Sequence, residues 1–252
     1  MLQGIKNLTG YLVKATDGDI GTVNQFLFSS GTWIIRYIVV DLGKWLPGRK
    51  VLVVPGMASY PPDWNKHLIP INLTKQQIEE SPEIDDRKPV SRQKEIELHK
   101  YFNWVPYWAP DPGGYINPPI PPTIERIPKQ ELSATQEKED PNLRSTKEVQ
   151  GYRIHACDGE IGHVEDFIMD DQDWTIRYLV VDTRNWLPGK KVLVSPEWIE
   201  NISWADSEVQ VDLSREAVKE SPKYDPSAPV NREYEVRVYD YYGRPVYWES
   251  HV

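Results

Sequence analysis

The segment that decides the fold is Gly10–Pro55, GYLVKATDGDIGTVNQFLFSSGTWIIRYIVVDLGKWLPGRKVLVVP, because it returns as Gly151–Pro196, GYRIHACDGEIGHVEDFIMDDQDWTIRYLVVDTRNWLPGKKVLVSP. Both segments have the same turn residues in the same order, so the chain is predicted to contain two copies of one domain. Equivalent residues of the two copies are 141 positions apart up to Pro55 and 140 positions apart from Trp64 onward. A residue that serves a duplicated site should recur at its partner position, and each candidate site is tested in this way.

Length and charge limit the class of protein. A chain of 252 residues is long enough for two domains that each bury a core. Its net charge of -9 opposes the binding of a polyanion, so nucleic acid is not an expected partner. The single cysteine, Cys157, has no partner for a disulfide within the chain. The first residues lack the pattern of a secretory leader, and no apolar run approaches the ~20 residues of a membrane helix. We expect a cytoplasmic protein without a transmembrane segment.

The first half of each repeat is predicted to form short β-strands. Runs rich in Val, Ile, Phe and Tyr are separated by Asp-Gly, Ser-Ser-Gly or Leu-Pro-Gly, which are turn sequences. About five or six closely spaced strands per repeat favour a small barrel that closes its own edges. Both faces of Ile34–Asp41 become apolar towards its end, so we expect a further layer to cover this strand.

The second half of each repeat is predicted to be helical. Thr74 and Gln77 form a capping-box pattern, Ser214 opens the equivalent helix, and both helices stop before a proline. A longer helix is predicted over residues 92–102 and again over residues 232–242, where Asn231 would be the N-cap and Gly243 the stop. The alternation of apolar residues in the last segment also fits a strand.

The predicted domains are residues 1–108 for the first repeat, 109–147 for a linker that is first proline-rich and then charged, and 148–252 for the second repeat. The predicted fold class is mainly β with short helices, comprising two tandem small β-barrels that are each followed by a helical segment. We expect the barrels to pack with pseudo-twofold symmetry as an intrachain pseudo-dimer. Association into a homo-oligomer stays open.

Both copies resemble the PRC-barrel family. The resemblance rests on Asp-Gly-Asp/Glu-Ile-Gly in the first hairpin, Trp-x-Ile-Arg-Tyr-x-Val-Val-Asp in the central strand, the Trp-Leu-Pro-Gly loop, and Glu-Ser-Pro followed by a closing Tyr-Trp. It implies a small β-barrel like those of the photosynthetic reaction centre H subunit and of a ribosome maturation factor. It also implies a module for protein contacts in assembly or regulation, with no catalytic residues shared across the family.

Candidate catalytic and metal-binding residues do not recur. The histidines His67, His99, His155 and His163 face Ser207, Tyr239, Lys14 and Thr22, so a duplicated histidine site is excluded. His155 and His163 flank a turn that carries Asp158 and Glu160, but they lack the spacing of metal ligands. Cys157 faces Thr16 and is interpreted as a small strand-end residue. Asp170, Asp171 and Asp173 lack the glycine and glutamate of a calcium loop. We predict no catalytic, cofactor-binding or metal-binding residue.

Two sets of residues do recur. Arg36 and Arg177 stand in mid-strand, where they either lie along the barrel and pair with a local carboxylate or hold a ligand. The second set lies in the Trp-Leu-Pro-Gly loops, where apolar side chains next to a positive charge suit a partner surface. Its members are Trp45, Leu46, Arg49, Trp186, Leu187 and Lys190.

The sequence therefore predicts a non-enzymatic module for protein binding, assembly or regulation, with a protein as its partner. The alternative is a sensor of a small ligand or a metal that uses a cleft between the two barrels. Exposed Trp45 and Trp186 loops would favour the first function, and a polar cleft holding His155 or His163 would favour the second.

Overall fold

The computed structural model describes residues 1–43, 45–58, 64–84, 90–108, 143–183 and 190–249. The chain forms two compact units. The first unit is Leu8–Ser145, and the second unit is Met1–Asn7 together with Thr146–Val252. The fold is mainly β with short helices, as predicted. The predicted linker lies outside the described residues as far as position 142.

The first unit contains six strands and two helices in this order: β2 Leu12–Ala15, β3 Gly18–Ser29, β4 Ile35–Asp41, β5 Lys50–Val53, β6 Leu68–Pro70, α2 Lys75–Glu79, α3 Arg92–Phe102 and β7 Leu143–Ser145. Short 3-10 helices occupy Pro55–Met57 and Trp64–Lys66.

The second unit contains seven strands and three helices in this order: β1 Leu2–Gly4, α4 Thr146–Val149, β8 Arg153–Ala156, β9 Gly159–Asp170, β10 Ile176–Asp182, β11 Lys191–Val194, β12 Ile199–Ser203, β13 Glu208–Val211, α5 Arg215–Glu220 and α6 Arg232–Tyr242. A 3-10 helix occupies Pro196–Trp198, and helix α1, Ile5–Leu8, spans the boundary between the units.

Each unit has one sheet, and the hydrogen-bonded order of that sheet is open. The order is β5-β4-β3-β2-β6 in the first unit and β11-β10-β9-β8-β13-β12 in the second. Closure of each sheet into a barrel is therefore not found among the hydrogen-bonded strands that the structure describes. In the second unit the edge of β11 pairs with a loop instead, because the Tyr224 N–H donates to the Lys191 carbonyl at 2.7 Å. Packing with pseudo-twofold symmetry stays a prediction.

The first strand of each repeat completes the sheet of the unit that is built mainly from the other repeat. Strand β1 pairs antiparallel with β9, with Gln3 opposite Met169. Strand β7 pairs antiparallel with β3, with Arg144 opposite Phe28. Residues 1–7, which the sequence analysis placed in the first repeat, thus belong to the second unit. Strands of three residues have no periodic pattern, so the sequence did not indicate this exchange.

Strand β4 is buried on both faces, as its sequence predicted. Ile35, Tyr37 and Val39 on one face are at most 1% exposed, and Ile38 and Val40 on the other are equally buried. The equivalent strand β10 repeats this pattern. Strands β4 and β10 therefore lie inside the cores of their units.

The helix predictions are confirmed. Thr74 forms the capping box with Gln77 at the start of α2. Helix α6 begins after Asn231, whose side chain accepts from the Tyr234 N–H, and ends at Gly243, which has a φ of 61°. The alternative of a strand over α6 is wrong. No helix among the described residues is long and apolar enough to cross a membrane.

Candidate functional site

The Trp45 loop joins β4 to β5 in the first unit and is held by local hydrogen bonds. The Gly43 N–H donates to Asp41 Oδ1 at 2.8 Å, and the Trp45 N–H donates to the Leu42 carbonyl at 3.1 Å. Trp45 and Leu46 are half-buried. The Lys75 ammonium lies 5.4 Å from the centre of the Trp45 ring, a cation–π distance. The described residues of the loop are thus held by local contacts, and the Trp45 side chain is half-buried.

An open depression of about 370 Å³ lies beside this loop. It is lined by Leu12, Asp19, Ile20, Gly21, Thr22, Asp41, Leu42, Gly43 and Trp45. Leu12 is 36% exposed. The depression is thus a concave surface of the first unit in which apolar side chains meet solvent.

Gly21 lines the depression at a point where the backbones of β3 and β4 lie very close together. A Cβ at this position would lie 2.0 Å from the Asp41 carbonyl oxygen, and one at Gly162 would lie 2.1 Å from the Asp182 carbonyl oxygen. No side chain fits in either space. The glycine of the repeated Ile-Gly motif is therefore required by the contact between β3 and β4, or between β9 and β10.

The basic residues of the Trp-Leu-Pro-Gly loops bind helix ends. Arg49 Nη2 donates to the Ser81 carbonyl at 2.6 Å, just beyond α2. Lys190 Nζ donates to the Ser221 carbonyl at 2.7 Å and also to Lys219, at the end of α5. Helix C-termini carry unpaired carbonyls and a partial negative charge, which these cations satisfy. Burial lowers the pKa of Lys190. Trp186 and Leu187 lie outside the described residues.

Arg36 and Arg177 stack on repeated tyrosines. The Arg36 guanidinium lies 4.4 Å from the Tyr107 ring centre, and the Arg177 guanidinium lies 4.2 Å from that of Tyr247. Arg177 also pairs with Asp173, whereas Arg36 contacts the Thr32 hydroxyl at 3.4 Å. Burial lowers the pKa of Arg36. These contacts agree with the interpretation of arginines that lie along the sheet and bind locally.

A buried carboxylate clamp recurs in both units, and the sequence analysis missed it. In the first unit the Glu95 carboxylate accepts hydrogen bonds from Tyr37 at 2.8 Å and from Tyr107 at 3.0 Å, and it pairs with Arg92 at 2.9 Å. Glu95 is 0% exposed. Burial and the adjacent Glu95 raise the pKa of Tyr37 well above its usual value. The clamp fixes helix α3 to strand β4.

The second unit has the same clamp. Glu235 accepts from Tyr178 at 2.8 Å and from Tyr247 at 2.9 Å, and it pairs with Arg232 at 3.0 Å. Burial also raises the pKa of Tyr178. The sequence pattern that could have indicated the clamp is an arginine followed three positions later by a glutamate at the start of both long helices. In each unit the glutamate contacts two tyrosine hydroxyls and one arginine of the same unit, so the clamp serves the fold.

The two clamps differ at one position, which is His99 in the first unit and Tyr239 in the second. His99 Nε2 lies 2.8 Å from the Tyr37 hydroxyl, and His99 is 4% exposed. Burial lowers the pKa of His99 from 6.5 to about 4. Tryptophans from different parts of the chain cover the two positions, with Trp104 at 5.8 Å from His99 and Trp198 at 5.4 Å from Tyr239. This replacement explains why these two tryptophans have no repeat partner.

Asp166 in the second unit contacts the exchanged N-terminal segment. Its Oδ1 accepts a hydrogen bond from the Lys6 N–H at 2.9 Å. Burial raises the pKa of Asp166 to about 6. The equivalent residue of the first unit is Gln25, which accepts a hydrogen bond from the hydroxyl of Ser145 on β7. In addition to its strand pairing, each exchanged segment is thus bound by a side chain of the sheet, a carboxylate in one unit and an amide in the other.

The remaining candidate residues lie apart from the depression. Asp171 pairs with the Met1 ammonium, and His155 Nε2 lies 3.7 Å from Glu208. Cys157 is exposed. Within the described ranges, no three His, Cys, Asp or Glu side chains are grouped so that they could hold a metal ion.

The described residues form two mainly β units with short helices, and the first unit carries an open depression beside Trp45. The family model of the PRC-barrel domain matches residues 141–218. The chain therefore contains a PRC-barrel domain in its second repeat. No curated protein matches the sequence.

Proposed function

We propose that this chain is a non-catalytic module for protein binding or assembly, and that its contact site is the depression beside Trp45. The observation that carries the proposal is the accessible apolar lining, in which Leu12 is 36% exposed and Trp45 is half-buried. When a partner covers apolar groups that are in contact with water, the free energy of the system falls, which favours binding.

The other features of the chain support binding over catalysis. The repeated buried carboxylates of Glu95 and Glu235 accept hydrogen bonds within the core, where they stabilise the fold. The net charge of -9 favours a protein partner over nucleic acid. Of the two functions that the sequence left open, the open apolar depression favours a protein partner over a small-ligand or metal sensor, since small-ligand sites enclose most of their ligand.

We also propose that the first repeat is a second PRC-barrel domain. Strands β2 to β6 and helices α2 and α3 of the first unit follow the same order as β8 to β11, β13, α5 and α6 of the second, which adds β12. Both units also have the buried clamp and the glycine contact between neighbouring strands. Both copies share the motifs quoted above. The cytoplasm remains the proposed location of the protein.

A photo-crosslinking amino acid at position 12 of the full chain, expressed in its native cell, tests the binding function. We expect a discrete crosslinked protein that is lost when Trp45→Ala is combined with the crosslinker. The matched control is the crosslinker at Arg153, the equivalent position of the second unit, which is 55% exposed on its side chain. The proposal is wrong if position 12 gives no product, or if the product persists unchanged with Trp45→Ala.

A further inference from the structure

The two units differ in the outward pair of side chains beside the depression. In the first unit Leu12 on β2 lies opposite Leu68 on β6 in a parallel pair. In the second unit the same pair of positions holds Arg153 and Glu208, which form a salt bridge. Leu12 is 36% exposed and Leu68 is half-buried. One copy of the fold thus has an apolar pair where the other has a charged pair, although both strands need the same backbone contacts.

One further lining position changes in the same direction. Leu42 of the depression corresponds to the buried Thr183 in the second unit. The first unit therefore has apolar side chains at positions where the second unit has a charged pair and a hydroxyl. Desolvating a charged pair costs free energy, whereas covering two leucines releases it. An apolar group would bind the first unit in preference to the second.

The charge at the rim of the depression is negative. Asp19 and Asp41 are the charged members of the lining. Asp41 accepts a hydrogen bond from the Gly43 N–H at 2.8 Å. The Asp19 side chain is exposed and makes no hydrogen bond or ion pair with the part of the chain that the structure describes. The nearby Lys75 ammonium lies 5.4 Å from the centre of the Trp45 ring, and Lys75 does not line the depression. A cation at the rim would therefore meet a carboxylate that is available for pairing.

The size of the depression limits its occupant. A volume of about 370 Å³ is at the lower end of ligand sites and holds one large side chain with its neighbours. We infer that the first unit binds a segment of a protein partner in which an apolar side chain, seated between Leu12 and Trp45, stands next to a lysine or arginine that pairs with Asp19. At the equivalent position of the second unit the Arg153–Glu208 salt bridge replaces the apolar pair, so we expect one such segment to bind per chain. The inference rests on the proposed binding function and adds the chemistry of the partner.

Selection of a random heptapeptide library on the immobilised full chain tests the inference. We expect the selected peptides to carry an aliphatic or aromatic residue next to Lys or Arg, and to bind the chain in solution with one peptide per chain. The double variant Leu12→Arg, Leu68→Glu should weaken their binding by about tenfold or more. It copies the salt-bridged pair of the second unit, so the sheet tolerates it, and an unchanged melting temperature checks this.

Charge reversal provides a matched pair of variants. Asp19→Lys should weaken binding, whereas Glu160→Lys, at the equivalent position of the second unit, should leave it unchanged. The inference is overturned if no peptide is enriched, if the selected peptides lack the apolar and basic pair, or if they bind the double variant as tightly as the natural chain. It is also overturned if two peptides bind per chain. If the crosslink at position 12 depends on Trp45 but the selected peptides show no such preference, the proposed binding function stands and the inferred chemistry of the partner is wrong. Self-association that depends on Leu12, with no enriched peptide, would identify a second copy as the occupant and reject the inference.

Discussion

The Tyr37 hydroxyl donates a hydrogen bond of 2.8 Å to the Glu95 carboxylate, and both side chains are fully buried. The equivalent contact between Tyr178 and Glu235 is also 2.8 Å. The clamp that joins α3 to β4 in the first unit therefore recurs between α6 and β10 in the second.

Glu95→Ala should destabilise the first unit by about 3–5 kcal/mol, because it leaves Arg92 and two buried hydroxyls without their acceptor. Urea unfolding of the full chain measures the change. The control is Glu97→Ala, which removes an exposed carboxylate of the same helix that pairs with Lys94 at 3.2 Å and should cost less than about 1 kcal/mol. Equal effects of the two substitutions would contradict a structural role for the clamp.

Acid should destabilise the first unit through His99. Because burial lowers the pKa of His99 to about 4, the unfolded chain binds more protons than the folded chain between pH 6.5 and about 4. The free energy of unfolding should fall by at most about 3 kcal/mol as the pH drops through this range. Amide hydrogen exchange, followed separately in β4 and β10, measures each unit. His99→Gln should flatten the pH dependence in β4, and an unaltered slope would contradict the prediction.

Asp166 should give the second unit a pH dependence of opposite sign. Burial raises its pKa to about 6, so the folded chain binds more protons than the unfolded chain between about pH 4 and 6. The stability that protonation provides is complete at low pH and is lost as the pH rises through 6. Asp166→Asn should therefore raise the melting temperature at pH 7, with little change at pH 4.5. The matched substitution Gln25→Asp in the first unit should lower stability at pH 7. A destabilised Asp166→Asn at pH 7 would contradict the burial argument.

Gly21→Ala should cost about 3 kcal/mol or more, because its Cβ would lie 2.0 Å from a backbone oxygen that cannot move without breaking the contact between β3 and β4. Gly31→Ala is the control, since no atom lies within 4 Å of the Cβ that it would add. Thermal unfolding compares the two variants. Similar melting temperatures would show that the strands can separate locally.

Local features of the fold were predictable from residues 10–55 and their repeat. The hairpin turns, the capping box of Thr74 and the end of α6 at Gly243 depend on neighbouring residues, and the structure has each of them. The burial of both faces of β4 followed from its apolar pattern. The role of Arg49 was missed because its acceptor, Ser81, is distant in sequence and is a backbone carbonyl that any residue would supply.

The sequence by itself determined the duplicated domain, its β-rich class and the bounds of its helices, because periodicity and turn chemistry act over a few residues. Only the tertiary structure decided that the sheets stay open, that β1 and β7 complete the sheets of opposite repeats, and that Glu95 and Glu235 are clamps. It also decided that Leu12 meets solvent where Arg153 forms a salt bridge. These features depend on contacts between residues that are far apart in the chain. Such contacts are selected by the packing of the whole unit, and no local pattern encodes them.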